Sequence, residues 1–202
     1  ALREAGRLGA WGLVDGKRTP RRQASRFLAA ALAPGALEGL GPDTPVALAL
    51  LALADGTGAV ERWMDRFGLA PARRETIRRA RRDAPGLVAR LARARDRAVA
   101  YGIMQGVPEL TLAWARTLAG GTAARRHLDR HLRSGRHLRA LATGDDVGTL
   151  GVPPGPAVGE LLRALRAAQA AGQVRSRTGA LRWLRSAVAR GHARGRIAHP
   201  TG

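Results

Sequence analysis

Apolar residues recur along most of this chain at the three- and four-residue step of a single helix face. Ala24, Phe27, Leu28, Ala31 and Leu32 keep that step from Arg21 to Ala33, and Pro34-Gly35 stops it. Thr44-Pro45 offers an N-cap and a first-turn proline. The run that follows is apolar on every side through Ala54, which predicts a helix at the centre of the core. Val60, Trp63, Met64 and Phe67 form the next stripe, in a helix over Thr57 to Phe67. Ile77 and Ala80 mark one over Pro71 to Arg82. Three short helices are then predicted: Pro85 to Ala94 on Leu87, Val88 and Leu91; Asp96 to Gln105 on Val99 and Ile103; Pro108 to Leu118 on Leu110, Leu112, Trp114 and Leu118. Thr122 to Leu141 predicts a longer helix, bent at Gly135, with Leu128, Leu132 and Leu138 inward. Val158, Leu161, Leu162, Leu165 and Ala168 define a helix that begins at Pro156 and ends at Gly172. Ser176 caps a last helix with Leu181, Leu184 and Val188 inward. Ala1 to Trp11 reads as the end of a helix, residues 12–20 as a loop, and the chain from about His192 as frayed.

Composition sharpens this to a fold class. Ala and Leu dominate, aromatics are 3%, and isoleucine occurs only at Ile77, Ile103 and Ile197. Those are helix formers rather than strand formers. The expectation is all-α: an elongated array of short helices forming a body over 1–142, a small helical tail over 143–191, and a frayed 192–202. No strict repeat of about 34 or 40 residues marks a solenoid. Without cysteine there are no disulfides, thiolate metal sites or Cys nucleophile. No apolar run reaches the ~20 residues of a membrane span, and no signal-peptide pattern appears. The chain starts at Ala1 rather than Met, which reads either as trimming or, more sharply, as a domain cut from a longer protein, in a cytoplasmic setting.

Charge changes the picture further. Thirty-five Lys and Arg face 15 Asp and Glu, a net charge of +20, and Lys17 is the only lysine. A charge that large repels itself unless a polyanion is near, and nucleic acid is the commonest such partner. GC-rich codon usage accounts for arginine in place of lysine but not for the scarcity of acids. Pro71 to Arg82 holds six arginines against Glu75, whereas solvated helices usually mix signs. From Leu161 to Gly202 there are nine arginines and no acid. The candidate phosphate contacts are Arg73, Arg74, Arg78, Arg81, Arg125, Arg126, Arg130, Arg133, Arg136 and Arg175.

The stretch from Thr143 to Leu162 narrows the partner. Thr143, Gly144, Asp146, Leu150, Gly151, Pro154, Gly155, Pro156, Gly159 and Leu162, followed by Gly172, match a spaced pattern. That pattern resembles the C-terminal signature of class II bacterial tRNA nucleotidyltransferases, the CCA-adding, A-adding and poly(A) polymerase family. Ala1 to Trp11 resembles the stretch after that family's neck. Val147 stands where the family usually has Leu. The resemblance implies that the chain is the RNA-binding body and tail, with tRNA as partner. It also implies a catalytic head, using Mg²⁺ and ATP or CTP, outside this chain. The head's Gly-rich nucleotide loop, paired aspartates and nucleotide-selecting motif are not visible here, so no catalytic residue, metal or cofactor is assigned. The signature also reads physically: Gly155 as N-cap, Pro156 as first helical residue, and Gly151 and Gly159 allowing close backbone approach.

Other chemistries find little support. Asp145-Asp146 diverge as neighbours and suit the cap of a short helix over 146–150 better than a metal pair. His127 and His131 lie four apart without a third ligand, and read as surface or RNA-facing. Trp11, Trp63, Trp114, Trp183 and Tyr101 read as core before stacking groups. Two rival readings stay open. One is a free-standing basic helical nucleic-acid-binding protein without enzymatic activity; the other is a structural module whose charge reflects codon usage.

Overall fold

The computed structural model describes residues 44–53 and 57–193. The helices expected over Ala1 to Trp11 and Arg21 to Ala33 and the loop between them lie outside the described residues; of the stretch expected to fray from about His192, His192 and Ala193 belong to the last helix instead and the rest lies outside the described residues. The described residues form helices and no strands, the expected all-α array: α1 (Thr44–Leu53), α2 (Thr57–Arg66), α3 (Pro71–Ala92), α4 (Arg97–Met104), α5 (Glu109–Leu118), α6 (Ala123–Arg133), a 3-10 turn (Gly135–His137), α7 (Gly144–Gly148), α8 (Pro156–Ala170) and α9 (Arg177–Ala193). Two compact units result. One comprises Ala1–Ala92 and Gly106–Arg133, the other Arg93–Gln105 and Ser134–Gly202. Residue 142, the expected end of the body, falls inside the second unit.

In the first unit α5 is closely enclosed, with Leu110, Thr111, Leu112, Ala113, Trp114, Ala115 and Thr117 all buried. The hydroxyl of Thr117 is satisfied within the helix, donating to the Ala113 carbonyl at 3.1 Å. Around it, α1 buries Ala47, Leu48, Leu51 and Ala52, and α2 buries Val60 and Met64. Thr44 does not stand free as a cap: its hydroxyl donates to Oε1 of Glu109 on α5 at 3.0 Å.

α3 is one helix of 22 residues, not two broken at Pro85. A proline inside a helix removes one backbone bond and clashes with the preceding turn. Here the apolar stripe Ile77, Ala80, Ala84, Leu87 and Leu91 runs unbroken across it and is buried, while Pro85 itself is exposed. Burial of the stripe against the neighbouring helices outweighs one lost hydrogen bond. α2 ends in a Schellman turn: Gly68 at φ +57, with Leu69 N–H donating to the Met64 carbonyl at 3.1 Å and Gly68 N–H to Asp65 at 3.0 Å. Phe67, placed by periodicity on the inner stripe, therefore sits at the helix end and is 40% exposed. α6 stops at Arg133 instead of running to Leu141, and the chain continues as the 3-10 turn.

The second unit packs Ala142, Val147, Val152, Leu165, Ala168, Val174, Ala180, Leu184 and Val188 into one core. α4 lies against α8 and buries Ala100, Tyr101 and Met104. Val99, expected inward, is 47% exposed; the helix turns Ala100 and Tyr101 inward instead. The Asp96 carboxylate caps α4 by accepting from Val99 N–H at 2.9 Å. Gly155 and Pro156 are N-cap and first residue of α8, as expected. A second Schellman turn closes that helix at Gly172, φ +80, with Gln173 N–H on Ala168 at 3.0 Å and Gly172 N–H on Gln169 at 2.9 Å. The Ser176 hydroxyl then accepts from Gly179 N–H at 3.1 Å and starts α9.

Candidate nucleic-acid interface

The ten arginines singled out by clustering divide by their local partners. Arg73, Arg74, Arg78 and Arg81 all lie on α3. Arg74 pairs with Asp65 and sends Nε to the Leu69 carbonyl at 2.7 Å. Arg78 meets Glu61 in two parallel bonds of 2.8 and 2.7 Å, the strong fork geometry of guanidinium with carboxylate. The Arg78 hydrogen bonds hold the Glu61 carboxyl below its usual range and push the Arg78 guanidinium up. The two pairs are rungs of one ladder: four residues back along α2 matches four residues forward along α3. The ladder ties an antiparallel helix hairpin, and the charge of Arg74 and Arg78 is matched where it stands. Next along α3, Arg79 and Arg82 share Asp83 at 3.5 and 3.1 Å. Arg81 forms no ion pair among the described residues, and Arg73 is exposed at the first turn.

α6 separates the same two roles by face. Ala124, Leu128, His131 and Leu132 face the core. On the flank, Asp129 receives both Arg116 of α5 and Arg125 at 3.2 Å, and Arg125 also donates to the Arg116 carbonyl at 3.1 Å. Arg125 is thus a clamp between α5 and α6. On the side away from Leu128, Arg126, Arg130 and Arg133 follow one another at steps of four and three, and all are exposed. Arg126 forms no ion pair among the described residues; Arg133 reaches back only to the Asp129 carbonyl, at 3.2 Å. Arg126, Arg130 and Arg133 thus share one exposed face of α6.

Arg136 and Arg175 belong to the second unit. Arg136 lies in the 3-10 turn, its side chain outside the described residues. Arg175 is exposed before α9 and donates to the Gly172 carbonyl at 3.1 Å. Clustering in sequence passed over Arg163 and Arg166 on α8 and Arg182, Arg185 and Arg190 on α9, all exposed. The lack of any acid after Glu160 was their available signal.

The signature residues have structural work. Thr143 and Asp146 form a reciprocal capping box on α7, Thr143 N–H donating to Asp146 Oδ2 at 2.8 Å. The expected cap of a 146–150 helix is thereby corrected: the helix is Gly144–Gly148 and Asp146 is its third residue. Arg177 reaches Asp146 Oδ1 at 2.7 Å and so ties α9 to α7. Backbone donation from Thr143, then its hydroxyl and Arg177, hold the Asp146 carboxyl below its usual range. Gly151 stands at φ +81, a conformation that excludes most side chains. Close backbone approach is not its reason: an added Cβ at Gly151 or Gly159 would meet nothing within 4 Å. Gly144 has only ordinary contact, Val158 at 3.7 Å, and Pro154 is exposed.

With Asp146 committed to Thr143 and Arg177, the Asp145-Asp146 pair does not fit a Mg²⁺ site. No group of three or more His, Cys, Asp or Glu among the described residues could hold a metal ion. His131, expected at the surface, is 7% exposed, because it lies three residues from Leu128 on the inner face. Trp114 and Tyr101 are core residues, as expected; Trp11 lies outside the described residues. No helix among the described residues is long and apolar enough to cross a membrane.

One curated protein is similar over part of the chain. The CC-adding tRNA nucleotidyltransferase of Geobacter sulfurreducens (strain ATCC 51573 / DSM 12127 / PCA) is 55% identical over 47 residues, which cover 23% of this chain and 11% of that protein. No protein-family profile matches the chain, and no solved structure does.

Proposed function

We propose that this chain is an RNA-holding region of a tRNA nucleotidyltransferase, the C-terminal body and tail of a class II enzyme. The 47-residue similarity to a CC-adding tRNA nucleotidyltransferase carries the reading. The exposed arginine stripes support it, since a phosphate backbone is recognised by charge and position rather than by base identity. On this reading the protein is cytoplasmic. It grips the acceptor stem and elbow of tRNA, with residues 143–191 as the tail, and offers the RNA 3′ end to a catalytic head outside this chain. Mg²⁺, the nucleotide and the choice among CC, CCA, A or poly(A) addition all belong to that head. Filter binding of the chain to tRNA and to a minihelix lacking the elbow tests it. The expected result is a clear preference for full tRNA that weakens steeply with salt. Absence of tRNA binding at moderate salt would leave a structural module and defeat the proposal.

A further inference from the structure

We infer that Phe67, backed by Trp63 and flanked by Arg62 and Arg66, is a stacking platform for one unpaired nucleobase of an RNA. The inference rests on the RNA-binding reading and adds a site to it.

Aromatic residues are scarce here, 3% of the chain, and Trp114 and Tyr101 are buried. Phe67 is 40% exposed, yet it is not loosely held. The Schellman turn at Gly68 fixes its backbone at the end of α2, and Trp63, one helical turn back, stacks on it with ring centroids 5.6 Å apart at 29°. A ring packed against a second ring has less conformational freedom to lose when a ligand arrives.

Charge decides which ligand. Glu61 and Asp65 are taken by Arg78 and Arg74 on one flank of α2. Arg62 and Arg66, each one residue before an aromatic, are exposed and form no ion pair among the described residues. An apolar protein surface laid on Phe67 would desolvate those two guanidiniums without compensation. A splayed-out nucleotide supplies what both stripes lack: a π face for the ring and phosphates for the arginines.

The test uses the full chain with labelled tRNA and with a single-stranded oligoadenylate. Phe67→Leu keeps apolar bulk but removes the flat face, and should weaken binding about 5- to 150-fold with an unchanged salt slope. Phe67→Tyr should bind like the parent. The double variant Arg62→Gln, Arg66→Gln should lower the slope against log salt by about 1.4 on the single strand, ~0.7 per lost phosphate contact. If the parent chain binds RNA and Phe67→Leu binds equally well, the platform is refuted and the RNA-binding reading survives. If the parent binds no RNA, both fail. A change of sedimenting mass in Phe67→Leu with RNA affinity unaltered overturns the platform and assigns Phe67 to a protein contact.

Discussion

On the proposed reading, replacing Arg126, Arg130 and Arg133 together by glutamine tests whether the exposed face of α6 serves RNA. The three residues occupy the outer side of α6 and are exposed. Seven residues at ~1.5 Å per residue place them along about 10 Å of surface, enough for consecutive phosphates of one strand. Each phosphate contact adds ~0.7–0.9 to the slope of log affinity against log salt, so losing three lowers the slope by about 2–3. Across the fourfold change from ~50 to ~200 mM salt, the parent should lose about 15- to 60-fold more affinity than the variant. Fluorescence anisotropy with labelled tRNA over that range measures both slopes. The control is Arg74→Gln with Arg78→Gln, which removes an equally basic pair already tied to Asp65 and Glu61. That variant should lower the thermal unfolding midpoint while changing the salt slope little. A triple variant with the parent's slope, in a chain that still binds tRNA, would refute the assignment of the α6 stripe.

Three further outcomes follow from the packing and the caps. Leu184→Ala empties a fully buried position of the second unit's core and should cost about 2–5 kcal/mol, read as a fall in unfolding midpoint by calorimetry. Asp146 has a depressed pKa in the folded chain, so its stabilisation is complete above the ordinary carboxylate range and is lost as pH falls through the lowered value. In acid melts monitored by circular dichroism, Asp146→Asn should start less stable at neutral pH and show a shallower decline below pH ~4; identical curves for parent and variant would contradict the capping box and Arg177 tie. Gly172→Ala should destabilise by about 1 kcal/mol or more because φ is +80 there. Gly159→Ala, inside α8 with open space around a Cβ, should stabilise by about 0.5–1 kcal/mol. Chemical denaturation of the two glycine variants distinguishes them by sign.

Much of the helical order was readable from the chain because its punctuation is local. Gly155-Pro156, Ser176 and Gly172 start or stop helices through their own backbone chemistry, and each does so where expected. Local rules failed where a longer pattern overruled them. Pro85 reads as a stop, but the stripe from Ile77 to Leu91 continues through it in phase, a signal visible only over a window longer than either predicted half. Phe67 fits the α2 period, but periodicity does not say that the helix ends one residue earlier. Among the candidate cations, sequence clustering found α3 and α6 but could not rank their arginines. The partners of Arg74 and Arg78 lie 9 and 17 residues away on another helix, and only the register of the α2–α3 hairpin reveals them. For the same reason Arg116, isolated in sequence, gave no hint that it shares Asp129 with Arg125.

Those shared carboxylates give the charge imbalance its meaning. Asp83 and Asp129 each serve two arginines; Glu61, Asp65 and Asp146 each join one helix to another. Asp96 caps α4, and Glu109 receives Thr44. Most acids in the described residues are thus spent where a helix starts or two helices meet, with Asp83 serving arginines of its own helix. Codon usage alone would scatter arginines without regard to such positions. Instead the paired arginines lie within α3 or bridge one helix to another, and a surplus with no ion pair among the described residues lies on exposed helix faces: Arg126 and Arg133 on α6, Arg163 and Arg166 on α8, Arg182 and Arg185 on α9. Self-repulsion among the surplus opposes the compact state, so bound polyanion should relieve it. The unfolding midpoint should therefore rise with added tRNA and rise less in the α6 triple variant, linking the surface charge to a partner through stability as well as affinity.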